Sequence, residues 1–163
     1  MTSIMDVAIK FLSDHNCSEQ ELKNRLEKEF AEKPDVEVKV ESALVRLREL
    51  HLINDNRLAE SLSLRYSHKG NRFISQALRQ KGVDDDVIAQ TLALLPDEFS
   101  RAFDEARRKI GHKRTDNPEK IKTQLFRFLS GRGFSYDTIN AVVRQLDEEG
   151  FFRTLENDTM SFI

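Results

Sequence analysis

Tryptophan is absent from this 163-residue chain, cysteine occurs once, proline three times and glycine six times. With Cys17 alone, no internal disulfide can staple the fold. So few prolines and glycines exclude a linker-rich or low-complexity chain. Runs of valine, isoleucine and threonine are scarce, which argues against a sheet protein. No window approaches the roughly 18–20 apolar residues that a membrane span needs. The opening stretch MTSIMDVAIKFLSDHN has acid where a secretory leader needs basic residues, and it lacks a small-residue cleavage pair. The expected location is the cytoplasm.

Patterns that carry chemistry are missing too. His15, His51, His68 and His112 lie in separate segments, and no Cys/His pair has metal-ligand spacing. Neither G-x-x-x-x-G-K-[ST] nor G-x-G-x-x-G occurs, and Gly131-Arg132-Gly133 is too short a fragment of either. No G-x-S-x-G or convergent Ser/His/Asp set is present. The run Asp84–Asp86 would fan around a helix axis instead of converging on one cation. The expectation is therefore a protein that is not an enzyme, with no catalytic residue, cofactor or metal.

What is present is charge and helical periodicity. Charged residues make up 33% of the chain and apolar residues 39%, with a formal net charge of −2. The charge is unevenly spread. Residues 1–60 hold nine basic and thirteen acidic residues, residues 61–132 fifteen and nine, and residues 133–163 two and six. Ser61 to Val83 carries five basic residues and no acid. A concentrated basic region on an acidic protein suggests a polyanion, or an acidic protein surface, met on one side.

Apolar spacings of three and four run through Ile4, Val7, Ala8, Phe11 and Leu12, one face of a helix. Ser18 with Glu21 forms a capping box for a second helix, and Pro34-Asp35 stops it. A third extends from Val36 to near His51, and Asn54-Asp55 signals the start of a fourth. Ile74 and Leu78 lie in a fifth that ends at Gly82, and Ile88 and Leu92 in a sixth. Pro96 is expected as the first-turn proline of a seventh, followed by the loop GHKRTDNP. Leu125 and Leu129 mark an eighth helix and Ile139, Val142 and Leu146 a ninth, while the segment after Gly150 has no clear period.

A shift of 51 residues superimposes Ile74 on Leu125, Leu78 on Leu129, Gly82 on Gly133, Asp86 on Asp137 and Ile88 on Ile139. The first third joins more loosely, through a longer connector without the glycine. The expected fold is all-α: three tandem three-helix repeats of about 50 residues forming an elongated, curved array. Their bounds are 1–53, 54–95 and 96–149, with a C-terminal tail at 150–163. The shared residues form a structural corner. Gly82 and Gly133 suit a left-handed helix end, and Asp84 and Ser135 suit the N-caps that follow. Val83 and Phe134 stand at the staple distance from Ile88 and Ile139.

With these residues in view, the chain resembles the RecX family of bacterial recombination regulators. In the middle third the carriers are INDNRLAE and the run Gly70, Arg72, Ile74, Leu78, Lys81, Gly82, Val83. In the last third they are Lys122, Phe128, Leu129, Arg132, Gly133, Phe134, Ser135, Asp137 and Ile139, and in the first Ala8, Leu12, Ser18, Glu21, Leu22 and Leu26. The chain departs from the family pattern at Asp14-His15, Asn54 and Leu58. The resemblance implies a negative regulator of the recombinase RecA that binds the RecA–DNA filament and depresses ATP hydrolysis, strand exchange and coprotease activity. The implied partners are RecA, its filament, and single-stranded or duplex DNA bound weakly and non-specifically, with the protein itself a monomer away from membranes.

The basic residues group by helical phase. Arg72 and Arg79, Arg101 and Arg108, and Lys120 and Arg127 each lie seven apart. With Arg65, Lys69, Lys122 and the loop residues Lys113 and Arg114 they make a candidate stripe for filament or DNA contact. Lys81 and Arg132, at helix ends, read instead as partners of the helix dipole. A competing reading is a helix-turn-helix transcriptional regulator, but the sixth helix offers only Gln90 and Thr91 beside three acids, and the ninth Asn140, Arg144 and Gln145. A third is a helical scaffold without a DNA role.

Overall fold

The computed structural model describes residues 3–111 and 117–152. Among them are nine helices and no strand: α1 (Ile4–Asp14), α2 (Glu19–Glu29), α3 (Val36–Glu49), α4 (Asp55–Arg65), α5 (Asn71–Gln80), α6 (Asp85–Leu94), α7 (Glu98–Ile110), α8 (Pro118–Gly131) and α9 (Tyr136–Glu148). The fold is an all-α array of three-helix repeats. No described helix is long and apolar enough to cross a membrane.

Side-chain caps fix where most helices start. Ser3 with Asp6 and Ser18 with Glu21 close capping boxes on α1 and α2. Asn54 accepts from the Arg57 N–H at 3.2 Å, and Ser135 from that of Thr138 at 3.2 Å. The seventh helix starts later than expected. Asp97 accepts from the Ser100 N–H at 2.7 Å and takes the N-cap, so Pro96 precedes the helix instead of opening it. The acidic side chain supplies an acceptor that proline lacks. Pro118, read as loop, is the first residue of α8.

Helix ends are closed by left-handed residues. At Gly82 (φ 86°), the Gly82 N–H donates to Arg79 O and the Val83 N–H to Leu78 O, the paired bonds of a Schellman motif. Gly133 (φ 88°) repeats it with Ser130 and Leu129. The same closure recurs at His51 (φ 57°) after α3 and at Gly150 (φ 85°) after α9. The glycine-free connector of the first repeat obtains its left-handed residue from Asp35, φ 57°, which precedes α3 without a side-chain cap.

By packing, the described residues fall into two compact units. One takes those up to Leu64 together with Gln76–Leu92; the other takes Arg65–Ser75 together with those from Ala93 onward. The division cuts α5.

The first unit is built on Ala8, Leu22, Leu26, Phe30, Val40, Leu44, Leu47 and Ile53, all buried. A polar knot closes it. The fully buried Ser18 hydroxyl donates to the carbonyl of Lys81 at the end of α5 and accepts from the Glu21 N–H at 3.1 Å. Lys81 Nζ donates back to Asn16 O at 3.3 Å and pairs with Glu21 at 3.4 Å. Asp55 accepts from the Glu19 N–H at 2.9 Å. A Cβ on Gly82 would lie 2.6 Å from the Gln20 Cβ, so the contact needs glycine for space as well as for φ.

The second unit encloses Ala102, Ala106, Ile110, Leu125, Leu129, Phe134, Ile139, Val142, Leu146 and Phe152. Each of its valine, leucine, isoleucine and phenylalanine side chains contributes about 1.5–3 kcal/mol on burial. Phe152, left unassigned at the sequence level, closes this core together with half-buried Phe151. The unit repeats the same junction. The Gly70 N–H, just before α5, donates to Arg132 O at the end of α8 at 2.8 Å. A Cβ on Gly70 would stand 2.1 Å from Gly133 O, and one on Gly133 would stand 2.7 Å from the Phe73 Cβ. Backbone approaches backbone there, and only two facing glycines leave room.

Candidate functional site

The most informative of the basic residues is the one that leaves the surface. Arg101, only 6% exposed, donates from Nε to Pro96 O at 2.8 Å and from Nη1 to Lys69 O at 2.6 Å, and Nη2 donates to Asn71 Oδ1. Burial lowers its pKa from the ordinary value, against the raising fields of Glu98 and Asp97. Arg101 therefore drops out of the candidate stripe. It ties the start of α7 to the turn before α5 because a buried guanidinium must spend its donors internally. Spacing from Arg108 could not reveal this, since a seven-residue interval does not say which face of a helix is buried.

The remaining candidates separate by partner. Lys69 lies over the Phe73 ring at 4.9 Å, and Lys122 over Phe152 at 5.0 Å while pairing with Glu119 at 3.5 Å. Arg79 pairs with Asp85 at 3.0 Å and Arg108 with Glu105 at 3.1 Å. The Arg79 pair is a surface pair that contributes little, whereas Arg108 meets the buried Glu105; both guanidinium groups stay in solvent. Lys81 and Arg132 sit at the junctions, Arg132 over Phe128 at 4.5 Å and 3.7 Å from Glu105. Lys113 and Arg114 lie outside the described residues.

Arg72, Lys120 and Arg127 form the open face. Arg72 is exposed and reaches Ser130 O, at 3.4 Å. From Ser130 the exposed side of α8 runs back through Arg127, Gln124, Thr123 and Lys120, spacings that keep one helix face. The exposed Glu119, one turn before Thr123 and paired with Lys122, flanks that face, while α5 has no carboxylate anywhere in its length. Neither Lys120 nor Arg127 has an ion-pair partner among the described residues, nor does Arg65, exposed in the last turn of α4. The face is polar and cationic. No group of three or more His, Cys, Asp or Glu among the described residues could hold a metal ion.

Beside this face lies an aromatic pair that the sequence reading passed over. Tyr136 is 69% exposed, and its ring centroid lies 5.8 Å from that of Phe126, tilted by 45°. Tyr136 continues the spacing of three through the buried Ile139 and Val142, so nothing in the sequence signals that its ring stays in solvent.

The corner residues serve the scaffold. Gly82 and Gly133 close helices, Ser135 caps α9, and Asp84 is exposed just before α6, where its carbonyl accepts from the Ile88 N–H at 3.0 Å. α6 shows Asp85, Asp86, Ala89 and Gln90 to solvent, an acidic surface ill-suited to a DNA groove.

This arrangement has close relatives. Residues 54–92 match the model of the RecX second three-helix domain, and residues 96–143 that of the third. A regulatory protein RecX from Chromobacterium violaceum is 32% identical over 146 residues, covering 89% of this chain and 91% of that protein. The chain belongs to the RecX family of regulatory proteins. A RecX from Clostridium perfringens (strain 13) is 35% identical over 134 residues, of which this chain spans 61% of the length. The RecX crystal structure from Lactobacillus salivarius superposes with a TM-score of 0.74 at 25% identity, over 88% of this chain and 94% of that one.

Proposed function

We propose that this RecX-family chain is a non-catalytic negative regulator of the recombinase RecA, acting in the cytoplasm by lying against the RecA–DNA filament and depressing its ATPase, strand-exchange and coprotease activities. Family membership supports the regulatory role. The observation that carries the contact surface is the exposed cationic row of Arg72, Arg127 and Lys120, with Arg72 reaching Ser130 O on α8. Three unpaired cations on one face suit a row of phosphates or the acidic surface of a protein fibre. Within the same unit, Arg65 and the solvent-exposed guanidinium group of Arg108 add to the cationic surface, with Lys69 and Lys122 as softer contributors held over aromatic rings. Arg79, in the other unit, is a separate candidate contact.

In this reading the triplets 1–53, 54–95 and 96–149 are the repeating units, and the protein acts as a monomer.

The test is RecA ATPase on single-stranded DNA with substoichiometric amounts of this protein. Inhibition supports the proposal, and an unchanged rate at saturating protein removes it. If three phosphate contacts are made, affinity falls by roughly 15- to 40-fold between about 50 and 200 mM salt. A flat salt response assigns the contact to protein instead of DNA.

A further inference from the structure

Of the aromatic pair, Phe126 packs against the core, but the exposed Tyr136 ring has no place in it. Tyr136, the first residue of α9, is not needed to cap the helix, because Ser135 does that, and it lies outside the packed core. With 69% of its surface in water, the Tyr136 side chain has its ring against Phe126, itself half-buried against the core. Phe126 precedes Arg127 and lies one turn before Ser130, whose carbonyl receives Arg72. The exposed ring, Arg127 and Arg72 therefore meet at the last turns of α8, with Lys120 two turns back along the same helix. Lys120 and Arg127 are about 10 Å apart along the helix. Asp137, the next residue along, is turned about 100° around the α9 axis from Tyr136.

We propose that Tyr136, backed by Phe126, is a stacking platform for an unpaired base of single-stranded nucleic acid whose phosphates run along Arg72, Arg127 and Lys120. The phosphate part rests on the cationic-face reading above; the base part does not follow from it. Duplex ends and protein side chains fit less well. Bases inside a duplex hide their faces, whereas every unpaired base offers a π-face to an exposed ring beside cations. The platform reads no sequence. It gives a preference for single strands over duplex, and for strands that carry bases over strands that do not.

Because the chain has no tryptophan, Tyr136→Trp supplies a single fluorophore at the site. The Tyr136→Trp protein is titrated with a short oligothymidylate and with an abasic deoxyribose-phosphate oligomer of equal length and charge. Wild type and Tyr136→Ala are titrated with the same two oligomers by anisotropy. We expect oligothymidylate to quench the tryptophan and the abasic strand to leave it unchanged. Tyr136→Ala is expected to bind oligothymidylate roughly 5- to 100-fold more weakly with abasic binding untouched, and Tyr136→Phe to retain wild-type affinity. Equal binding of both oligomers by wild type and Tyr136→Ala overturns the platform. If Arg127→Gln still weakens both, the cationic face survives that result. Loss of RecA inhibition in Tyr136→Ala with unchanged oligothymidylate binding would make the ring a protein contact and also overturns the proposal, as does failure of wild type to bind either oligomer at low salt.

Discussion

The backbone N–H of Gly70 donates to the carbonyl of Arg132 at 2.8 Å, in the same position relative to its helices as the Ser18 hydroxyl donating to the carbonyl of Lys81. In each case the residue before a triplet's middle helix bonds the last carbonyl of the next triplet's middle helix. One junction uses a side chain and the other a backbone amide, because the second brings main chains too close for any Cβ. Gly70→Ala would place that carbon 2.1 Å from Gly133 O. It is expected to destabilise the protein by about 2–4 kcal/mol in urea unfolding. Gly131→Ala, on an exposed turn of α8 with open space around it, is expected to be neutral or to stabilise by about 0.4–1 kcal/mol.

Arg101→Met should lower stability by about 2–4 kcal/mol, since it leaves Pro96 O, Lys69 O and Asn71 Oδ1 without their donor. Arg127→Met, on the open face, should stay within about 0.5 kcal/mol of wild type. Thermal melts of the two variants side by side separate the structural arginine from the surface one.

The contrast between these arginines shows what could be read from the chain alone. Helices, caps and the Gly82 and Gly133 corners were legible because each depends on neighbours within about five residues. The repeat was legible because it recurs at a fixed interval. Arg101 was not, because its burial is decided by Lys69 and Asn71, some thirty residues away. The Gly70–Gly133 approach was hidden for the same reason. Phe152 joins the core from a segment too short to show a period.

Burial pushes the Cys17 thiol up to about 11, with Glu21 and Asp55 adding to the rise and Lys81 opposing it. The thiolate is the reactive form, so at pH 8 alkylation by iodoacetamide should run about a hundredfold slower in the folded protein than in urea. Mass spectrometry over time reads the ratio. Equal rates would show that the first-unit knot is open in solution.

Asp55 has its pKa raised, chiefly by burial, while the Glu19 N–H it accepts pulls the other way. A raised folded value means the folded state binds the proton more tightly. Its contribution to stability is therefore fully present below the unfolded carboxyl pKa and is lost as pH rises through the folded one. Asp55→Asn keeps an acceptor for Glu19 without the buried charge. The variant should gain on wild type as pH rises from 4 toward 7, and the difference should close again on acidification. Urea midpoints measured across that range give the sign.

The most direct test reverses the open face. Arg72→Glu, Lys120→Glu and Arg127→Glu are combined in one protein, and its inhibition of RecA ATPase on single-stranded DNA is compared with wild type at several salt concentrations. All three residues are exposed, so the melting temperature should barely change. We expect inhibition to be lost at moderate salt and the dependence of binding on log salt to become shallower by about 2–3. Undiminished inhibition by a folded triple variant, with the wild-type salt dependence, would contradict the assignment of this face to the filament.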